Sequence, residues 1–280
     1  MVKKIKHRFK QGQKTEKLPV LSKDLLARYI PKHKEKPDKG AGLDIKWNAL
    51  DGIISVVFLA ATLTAVYFGS ARIFIALSNR ELLSENISNI SFIILYGVQV
   101  FLMMGTVWFF ALRRRKARLR DLGLKYYSIG KTFWYAFIAL IAINIISFIY
   151  VFIMASVLGI EAPASKIEIL IRNKGISNTM LLMMVAFIGP ITEEVFFRGF
   201  LYSAFKENWG VLPALFLSSV LFSVVHLQVY SFFPLFLIGW LLAYLFEKTK
   251  SLFPAIFLHA VYNLILILIL LGQLEMINVY

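Results

Sequence analysis

The sequence predicts an all-α integral membrane protein, a polytopic bundle of about seven transmembrane helices. The first observation is composition: 59% of the 280 residues are hydrophobic, 17% are charged, and the mean hydropathy is +0.70. Soluble domains average about 45–50% apolar and about 25% charged residues, so a chain this apolar needs lipid as its solvent. The second observation is a series of apolar segments of membrane-spanning length. The third is the position of the basic residues beside those segments.

Seven segments are long and apolar enough to cross a hydrocarbon layer of about 30 Å, which takes about 20 helical residues. We predict a basic tail at residues 1–47, a region of transmembrane helices and loops at 48–176, and a helical core at 177–272. Within them, residues 72–83 and 165–174 mix apolar and charged positions, which predicts helices lying along the outer membrane surface. The predicted spans are 50–71, 91–112, 132–157, 177–205, 210–227, 230–247 and 251–272.

The basic residues predict the orientation in the membrane. Of the 31 Lys and Arg residues, 14 lie in residues 1–47 and 8 in the loop 113–131. Cytoplasmic loops are enriched in Lys and Arg, so the tail, the N-terminus and this loop are predicted to be cytoplasmic. Topology and attraction to anionic lipid headgroups then account for the net charge of +15, and no nucleic-acid partner is predicted. The compact loops and the absence of cysteine favour a bacterial plasma membrane.

Ionisable residues inside the predicted spans are the candidates for function, because a charge at the centre of a membrane helix costs about 2.5–3.5 kcal/mol. Spans two and three carry only neutral polar groups such as Gln99 and Asn144, which predict hydrogen bonds between helices. The ionisable residues collect instead in the C-terminal core. Three clusters contain them: Glu193, Glu194 and Arg198; Phe222 and His226; His259 and Asn263.

The spacing within the first cluster separates its two carboxylates. Glu194 and Arg198 are four residues apart on one helix face, where an ion pair forms readily. Glu193 is rotated from Glu194 by about 100° and is left without a cation. His226 lies some distance beyond the predicted inner end of its span, which would place it near the outer face unless span five starts deeper, tilts or kinks.

These groups suffice for hydrolysis of a peptide bond by activated water. A carboxylate can act as general base, and a histidine can orient the water or pass its proton to the leaving amine. A second histidine and an asparagine amide can donate hydrogen bonds to the oxyanion, worth about 2.7–4 kcal/mol per donor in a comparable hydrolase. No G-x-S-x-G elbow for a nucleophilic serine occurs in the chain.

The order EExxxR, FxxxH and HxxxN on successive apolar helices resembles the family of CAAX prenyl proteases and bacteriocin-processing enzymes, also called CPBP or Abi. The loop sequence DLGL at residues 121–124 is similar to that family as well. The resemblance implies an intramembrane endopeptidase whose catalytic core is residues 177–272. By position, Glu193 and His226 would activate the water, and His259 and Asn263 would form the oxyanion site. The supporting residues would be Glu194, Arg198 and Phe222.

The resemblance leaves the cofactor and the function open to alternatives. Members of the family are also described as metalloproteases, and Glu193, His226 and His259 have the ligand types of a zinc site. The H-E-x-x-H motif is missing, so we expect a metal-free glutamate protease, with zinc or another divalent metal as the alternative. The expected substrate is a peptide or a membrane protein, with bacteriocin or other peptide maturation favoured over a prenylated protein.

Two other functions compete with proteolysis. A non-catalytic membrane regulator or immunity-type protein could keep the same residues for structure or binding, as the resembled family also includes such members. A transporter is the third class, because intramembrane ionisable residues also mark ion pathways. Transporters often have repeat-related halves, whereas this chain concentrates its charged groups in one half, which counts against that class.

Overall fold

The computed structural model describes residues 43–78, 85–163, 168 and 177–277. Within these ranges the regular secondary structure is helical, which confirms the predicted all-α polytopic fold. A 3₁₀ turn at Leu119–Leu122 interrupts the loop after the second helix. The helices are α1 Ala49–Ser78, α2 Glu85–Val107 with a π-helical extension Trp108–Arg114, α3 Ile129–Phe152 with a π-helical extension Ile153–Val157, α4 Asn178–Trp209, α5 Val211–Val224, α6 Phe232–Thr249 and α7 Leu252–Ile277.

Six of these helices are long and apolar enough to cross a membrane by length and composition, and α5 is a shorter apolar helix. The 14 residues of α5 extend for only about 21 Å at 1.5 Å per residue, less than a hydrocarbon layer. The predicted fifth span, 210–227, was too long because the chain leaves the helix in a turn at 225–227, where Leu227 has a φ of 53°. At its start, Gly210 at φ 83° allows α5 to follow α4 after a single residue.

Only part of the predicted N-terminal tail and of the two predicted surface segments falls within the described residues. Residues 1–42 of the predicted tail lie outside the described residues, whereas Trp47 is buried and its indole N–H donates to the Phe200 carbonyl oxygen at 2.8 Å. Residues 72–78 continue α1 without a break, so this part of the first predicted surface segment is an extension of the span. Residues 79–84, and most of the second segment at 165–174, are outside the described ranges.

Helix α4 is the centre of the bundle. Of its most apolar stretch, 56% is buried, against 6% for α3, so α4 is surrounded by protein while α3 faces outward. Buried aromatic rings join α4 to its neighbours: Phe200 packs against Phe110 of α2, and Phe197 packs edge-on against Phe222 of α5. Glu194 and Arg198 of α4 are therefore held inside the bundle rather than against lipid.

The loop 115–128 packs against the ends of three helices in the C-terminal core. Its Gly123 carbonyl accepts the Leu252 backbone N–H at 2.9 Å, and the Lys125 carbonyl accepts the Ser251 hydroxyl at 2.6 Å. The Leu122 carbonyl lies so close to α4 that a Cβ on Gly199 would meet it at 2.9 Å. The DLGL sequence thus anchors this loop beneath α4 and α7.

We expect Gly123→Ala to destabilise the protein by about 2–4 kcal/mol, because two effects add at this position. Gly123 has a φ of 90°, and an added Cβ would lie 2.5 Å from the Phe246 ring. Gly130→Ala is the matched control, since a Cβ on that helical residue meets nothing within 4 Å. Thermal unfolding in detergent measures both variants, and equal melting temperatures would contradict the proposed role of the loop.

Candidate active site

A buried ion cluster on α4 and α7 is the foundation of the site. Glu194 and Arg198 are 0% and 1% exposed, and one Glu194 carboxylate oxygen accepts from Arg198 Nη1 at 2.7 Å. The same oxygen accepts from His259 Nδ1 at 2.8 Å. Arg198 also donates through Nη2 to the Gly239 carbonyl at 3.2 Å, and its guanidinium carbon lies 4.4 Å from the centre of the Phe222 ring. The pair expected from the i, i+4 spacing therefore exists, and it also holds His259.

Glu193 occupies the accessible side of this cluster. Its side chain is 22% exposed, and its Oε2 lies 3.8 Å from Nε2 of His259. Because Nδ1 of His259 faces Glu194 and Nε2 faces Glu193, one imidazole bridges both carboxylates. Of the two carboxylates, Glu193 is thus the more exposed. This matches the assignment made from the sequence, in which Glu194 is neutralised and Glu193 is left over.

The turn that follows α5 holds His226 in the same region. Phe222, two residues before the end of α5, packs against the His226 ring at 4.9 Å and against the His259 ring at 5.7 Å between centroids. One ring therefore contacts both histidines, which places His226 near His259 of α7. His226 Nδ1 lies 2.6 Å from the Phe222 carbonyl oxygen, which can only accept. Nδ1 therefore carries the hydrogen, and Nε2 of a neutral His226 is an acceptor.

Asn263 shares a face of α7 with His259, and its side chain is already engaged. Its amide nitrogen donates to the Val185 carbonyl of α4 at 2.9 Å. An amide NH₂ has two hydrogens, so one remains for a second acceptor. The structure thus brings Asn263 to α4, where one of its two amide hydrogens is bonded to Val185.

Sequence reasoning missed Tyr96 of α2. Its hydroxyl donates to the Met184 carbonyl of α4 at 2.7 Å. The hydrogen bond between helices predicted for Asn144 is wrong, because the Asn144 amide donates to the Leu140 carbonyl of its own helix. A tyrosine in an apolar helix resembles an ordinary interfacial aromatic residue, so its pattern alone could not single it out.

The metal site kept as the alternative, with Glu193, His226 and His259 as ligands, does not fit the geometry. Within the described part of the chain, no three His, Cys, Asp or Glu side chains lie close enough together to hold a metal ion. Glu193 and His259 approach each other, but the Phe222 ring packs against both His226 and His259. We therefore derive no step of the reaction through a metal.

Fold and site together define a polytopic α-helical integral membrane protein whose ionisable residues cluster inside the bundle. Residues 175–265 match the family model described as type II CAAX prenyl endopeptidase Rce1-like, which confirms the resemblance seen in the motifs. This segment includes every predicted site residue from Glu193 to Asn263, whereas α1, α2 and α3 lie outside it. At the family level, the similarity is to CAAX-type membrane proteases.

Two bacterial relatives support the same family. "Putative membrane peptidase YdiL" of Bacillus subtilis (strain 168) is 29% identical over 101 residues, which cover 36% of this chain and 40% of that protein. "UPF0177 protein YbdI" of Lactococcus lactis subsp. lactis (strain IL1403) is 33% identical over 89 residues, or 31% of this chain and 46% of that protein. The similarity thus spans less than half the length of each relative. No solved structure matches the chain significantly.

We expect Arg198→Met to destabilise the protein by about 3–5 kcal/mol, because it leaves a buried carboxylate without its guanidinium partner. The double variant Glu194→Gln, Arg198→Met should recover much of this loss, since the uncompensated charge is then absent. Lys206→Met is the matched control: Lys206 is about one-third exposed, and Glu247 keeps Lys250 and Tyr202 as partners, so the cost should stay within about 1 kcal/mol.

Unfolding in a detergent titration measures the three variants. Equal losses for Arg198→Met and Lys206→Met would show that burial does not make the Glu194–Arg198 pair special. A double variant less stable than Arg198→Met would show that the uncompensated carboxylate is not the cause.

Proposed function

We propose that this protein is an intramembrane endopeptidase that hydrolyses a peptide bond with water activated by Glu193 and His226. The observation that carries the proposal is the difference between the two neighbouring carboxylates. Glu194 is fully buried and paired with Arg198, whereas Glu193 is partly exposed and faces His259. A partly exposed carboxylate beside a histidine, inside an Rce1-like segment, is the arrangement that water activation requires.

In the proposed reaction, Glu193 and His226 act on a single water molecule. The Glu193 carboxylate accepts a proton from the water while the water oxygen attacks the carbonyl carbon of the substrate. Nε2 of His226 accepts the second water hydrogen in a hydrogen bond and so orients the lone pair of the nucleophile. The proton taken by Glu193 then passes to the amide nitrogen as the C–N bond breaks, which returns the carboxylate to its ionised form.

His259 and Asn263 are proposed to stabilise the oxyanion of the tetrahedral intermediate. Asn263 offers the amide hydrogen that Val185 does not use. His259 donates from Nδ1 to Glu194, so donation from Nε2 to the oxyanion requires both ring nitrogens to carry a hydrogen. Glu194 and Arg198 orient His259 in this proposal.

The proposed substrate is a peptide or a membrane-associated protein segment that reaches the site from within or beside the bilayer. Peptide maturation in a bacterial plasma membrane, such as processing of a bacteriocin or a signalling peptide, is favoured because the curated relatives are bacterial. The name "membrane peptidase" of the Bacillus subtilis relative agrees with this substrate class.

We expect Glu193→Gln and His226→Ala each to lower cleavage by about 10²–10⁴-fold, since each removes a group that acts directly on the water. Glu207→Gln, at an exposed position near the end of α4, is the matched control and should keep wild-type activity. The first measurement is mass spectrometry of membrane and secreted peptides from cells that carry wild type or Glu193→Gln. The precursor of a peptide that appears in wild type but not in Glu193→Gln is then used as the substrate, and its cleavage rate is measured in proteoliposomes.

Two outcomes would redirect the proposal. Unchanged cleavage in both site variants would refute the catalytic assignment, and a cellular phenotype that survives Glu193→Gln would indicate a non-catalytic regulator or immunity-type protein. Stoichiometric zinc in the purified protein, with activity lost on chelation and restored by zinc alone, would overturn the metal-free mechanism.

We also propose that the N-terminus and the loop 113–131 are cytoplasmic and that the loop contacts anionic lipid headgroups. Arg113, Lys116 and Arg118 are exposed, whereas Arg114 and Arg115 pair with the buried Asp51. The exposed cations of this loop are therefore available to lipid phosphates.

The orientation can be tested at the two ends of α3, because the chain has no native cysteine. Ser128 and Ala162 are both exposed, one before and one after this helix. In intact cells, a membrane-impermeant thiol reagent should label Ala162→Cys and leave Ser128→Cys unlabelled until the membrane is opened. The reverse pattern would invert the topology and remove the loop from the cytoplasmic leaflet.

A further inference from the structure

The turn of α4 just before Glu193 departs from α-helical geometry. Residues Met183–Ile188 are π-helical, and at the end of this turn the Gly189 N–H donates to the Met184 carbonyl five residues earlier. Pro190 follows in this register and has no N–H. The Val185 carbonyl, five residues before Pro190, therefore lacks the backbone donor that this register would supply.

Side chains from two other helices bind the carbonyls of this turn. Asn263 of α7 donates to the Val185 carbonyl at 2.9 Å, the group that Pro190 cannot serve. Tyr96 of α2 donates to the neighbouring Met184 carbonyl at 2.7 Å. Two adjacent carbonyls of α4 are thus tied to α7 on one side and to α2 on the other.

The Tyr96 hydroxyl lies beside the space that Glu193 occupies. A Cβ added to Gly189 would lie 3.1 Å from the Tyr96 hydroxyl oxygen, 3.2 Å from the Met184 carbonyl oxygen and 3.8 Å from Oε1 of Glu193. The three oxygens therefore border one small volume, which stays open because residue 189 is glycine. The π-helical turn ends at Ile188, five residues before Glu193, so a change in its geometry reaches Glu193 through little more than one helical turn.

We propose that Tyr96 is a positioning residue of the peptidase site: its hydroxyl holds the π-helical turn that sets the direction of Glu193. This inference rests on the proposed function. A π turn contains one residue more than an α turn, so relaxation to α geometry would rotate Glu193 by about 100° relative to the preceding turn. Such a rotation would take its carboxylate away from His259. Because α2 lies outside the matched segment 175–265, the site then depends on the N-terminal half of the chain.

The test compares Tyr96→Phe with Tyr202→Phe in the full-length protein in proteoliposomes. Tyr202 is a matched control because it also loses a single hydroxyl bond of 2.7 Å, to Glu247, which keeps Lys206 and Lys250. Cleavage is followed with a quenched-fluorescent peptide that spans the Glu193-dependent cleavage site. We expect Tyr96→Phe to lower kcat by about 10–100-fold with KM within about twofold, because misplacing a reacting group acts on the chemical step. Tyr202→Phe should keep both constants.

Hydrogen–deuterium exchange gives a second readout that does not need a substrate. Amides of residues 183–193 should exchange faster in Tyr96→Phe and remain as in wild type in Tyr202→Phe, while melting temperatures report the general loss of stability in each. A wild-type kcat in Tyr96→Phe, or an equal fall in both variants, would overturn the positioning role. If the wild type cleaves no peptide, the proposed function fails. Unchanged exchange at residues 183–193 in Tyr96→Phe would then also refute the role of Tyr96 in holding the π-helical turn.

Discussion

The ion cluster of Glu194, Arg198 and His259 is the constraint on which the rest of the core depends. Charges this deep in an apolar bundle persist only when each has a partner, because removing one leaves the others uncompensated. Arg198 therefore requires the Gly239 carbonyl of α6 and the Phe222 ring of α5 beside it, and Glu194 requires His259 of α7. Hydrogen bonds and ring packing at a single guanidinium and a single carboxylate thus bring four helices to one place.

The helical irregularities of α4 serve the same region. Its π-helical turns Met183–Ile188 and Val195–Tyr202 flank the segment Gly189–Glu194, which carries both carboxylates. A π turn leaves carbonyls displaced from their usual donors, and these become acceptors for side chains of neighbouring helices. Val185 and Met184 are used in this way by Asn263 and Tyr96. The irregular backbone and the polar side chains around it thus form one system.

Much of the fold could be predicted because lipid imposes length and polarity on each helix separately. Observed helices such as α3, Ile129–Phe152 with its extension to Val157, coincide closely with the apolar segments of the sequence. The error at α5 arose because Val225 and Leu227 continue the apolar sequence on either side of His226, so hydropathy averaged over a whole span could not show the turn. The prediction of a hydrogen bond between helices at Asn144 was wrong for a similar reason. Its donation to Leu140 within the same helix depends on which way the side chain points.

By itself, the sequence determined the helical class, the candidate site residues and the i, i+4 pair of Glu194 and Arg198, since these follow from local spacing and from the cost of charge in lipid. Only the tertiary structure decided which atoms meet. It placed Nδ1 of His259 on Glu194 and Nε2 toward Glu193, committed one Asn263 hydrogen to Val185, and brought Tyr96 to the turn before Glu193. These contacts join helices far apart in the chain, and their geometry depends on packing that no single segment encodes.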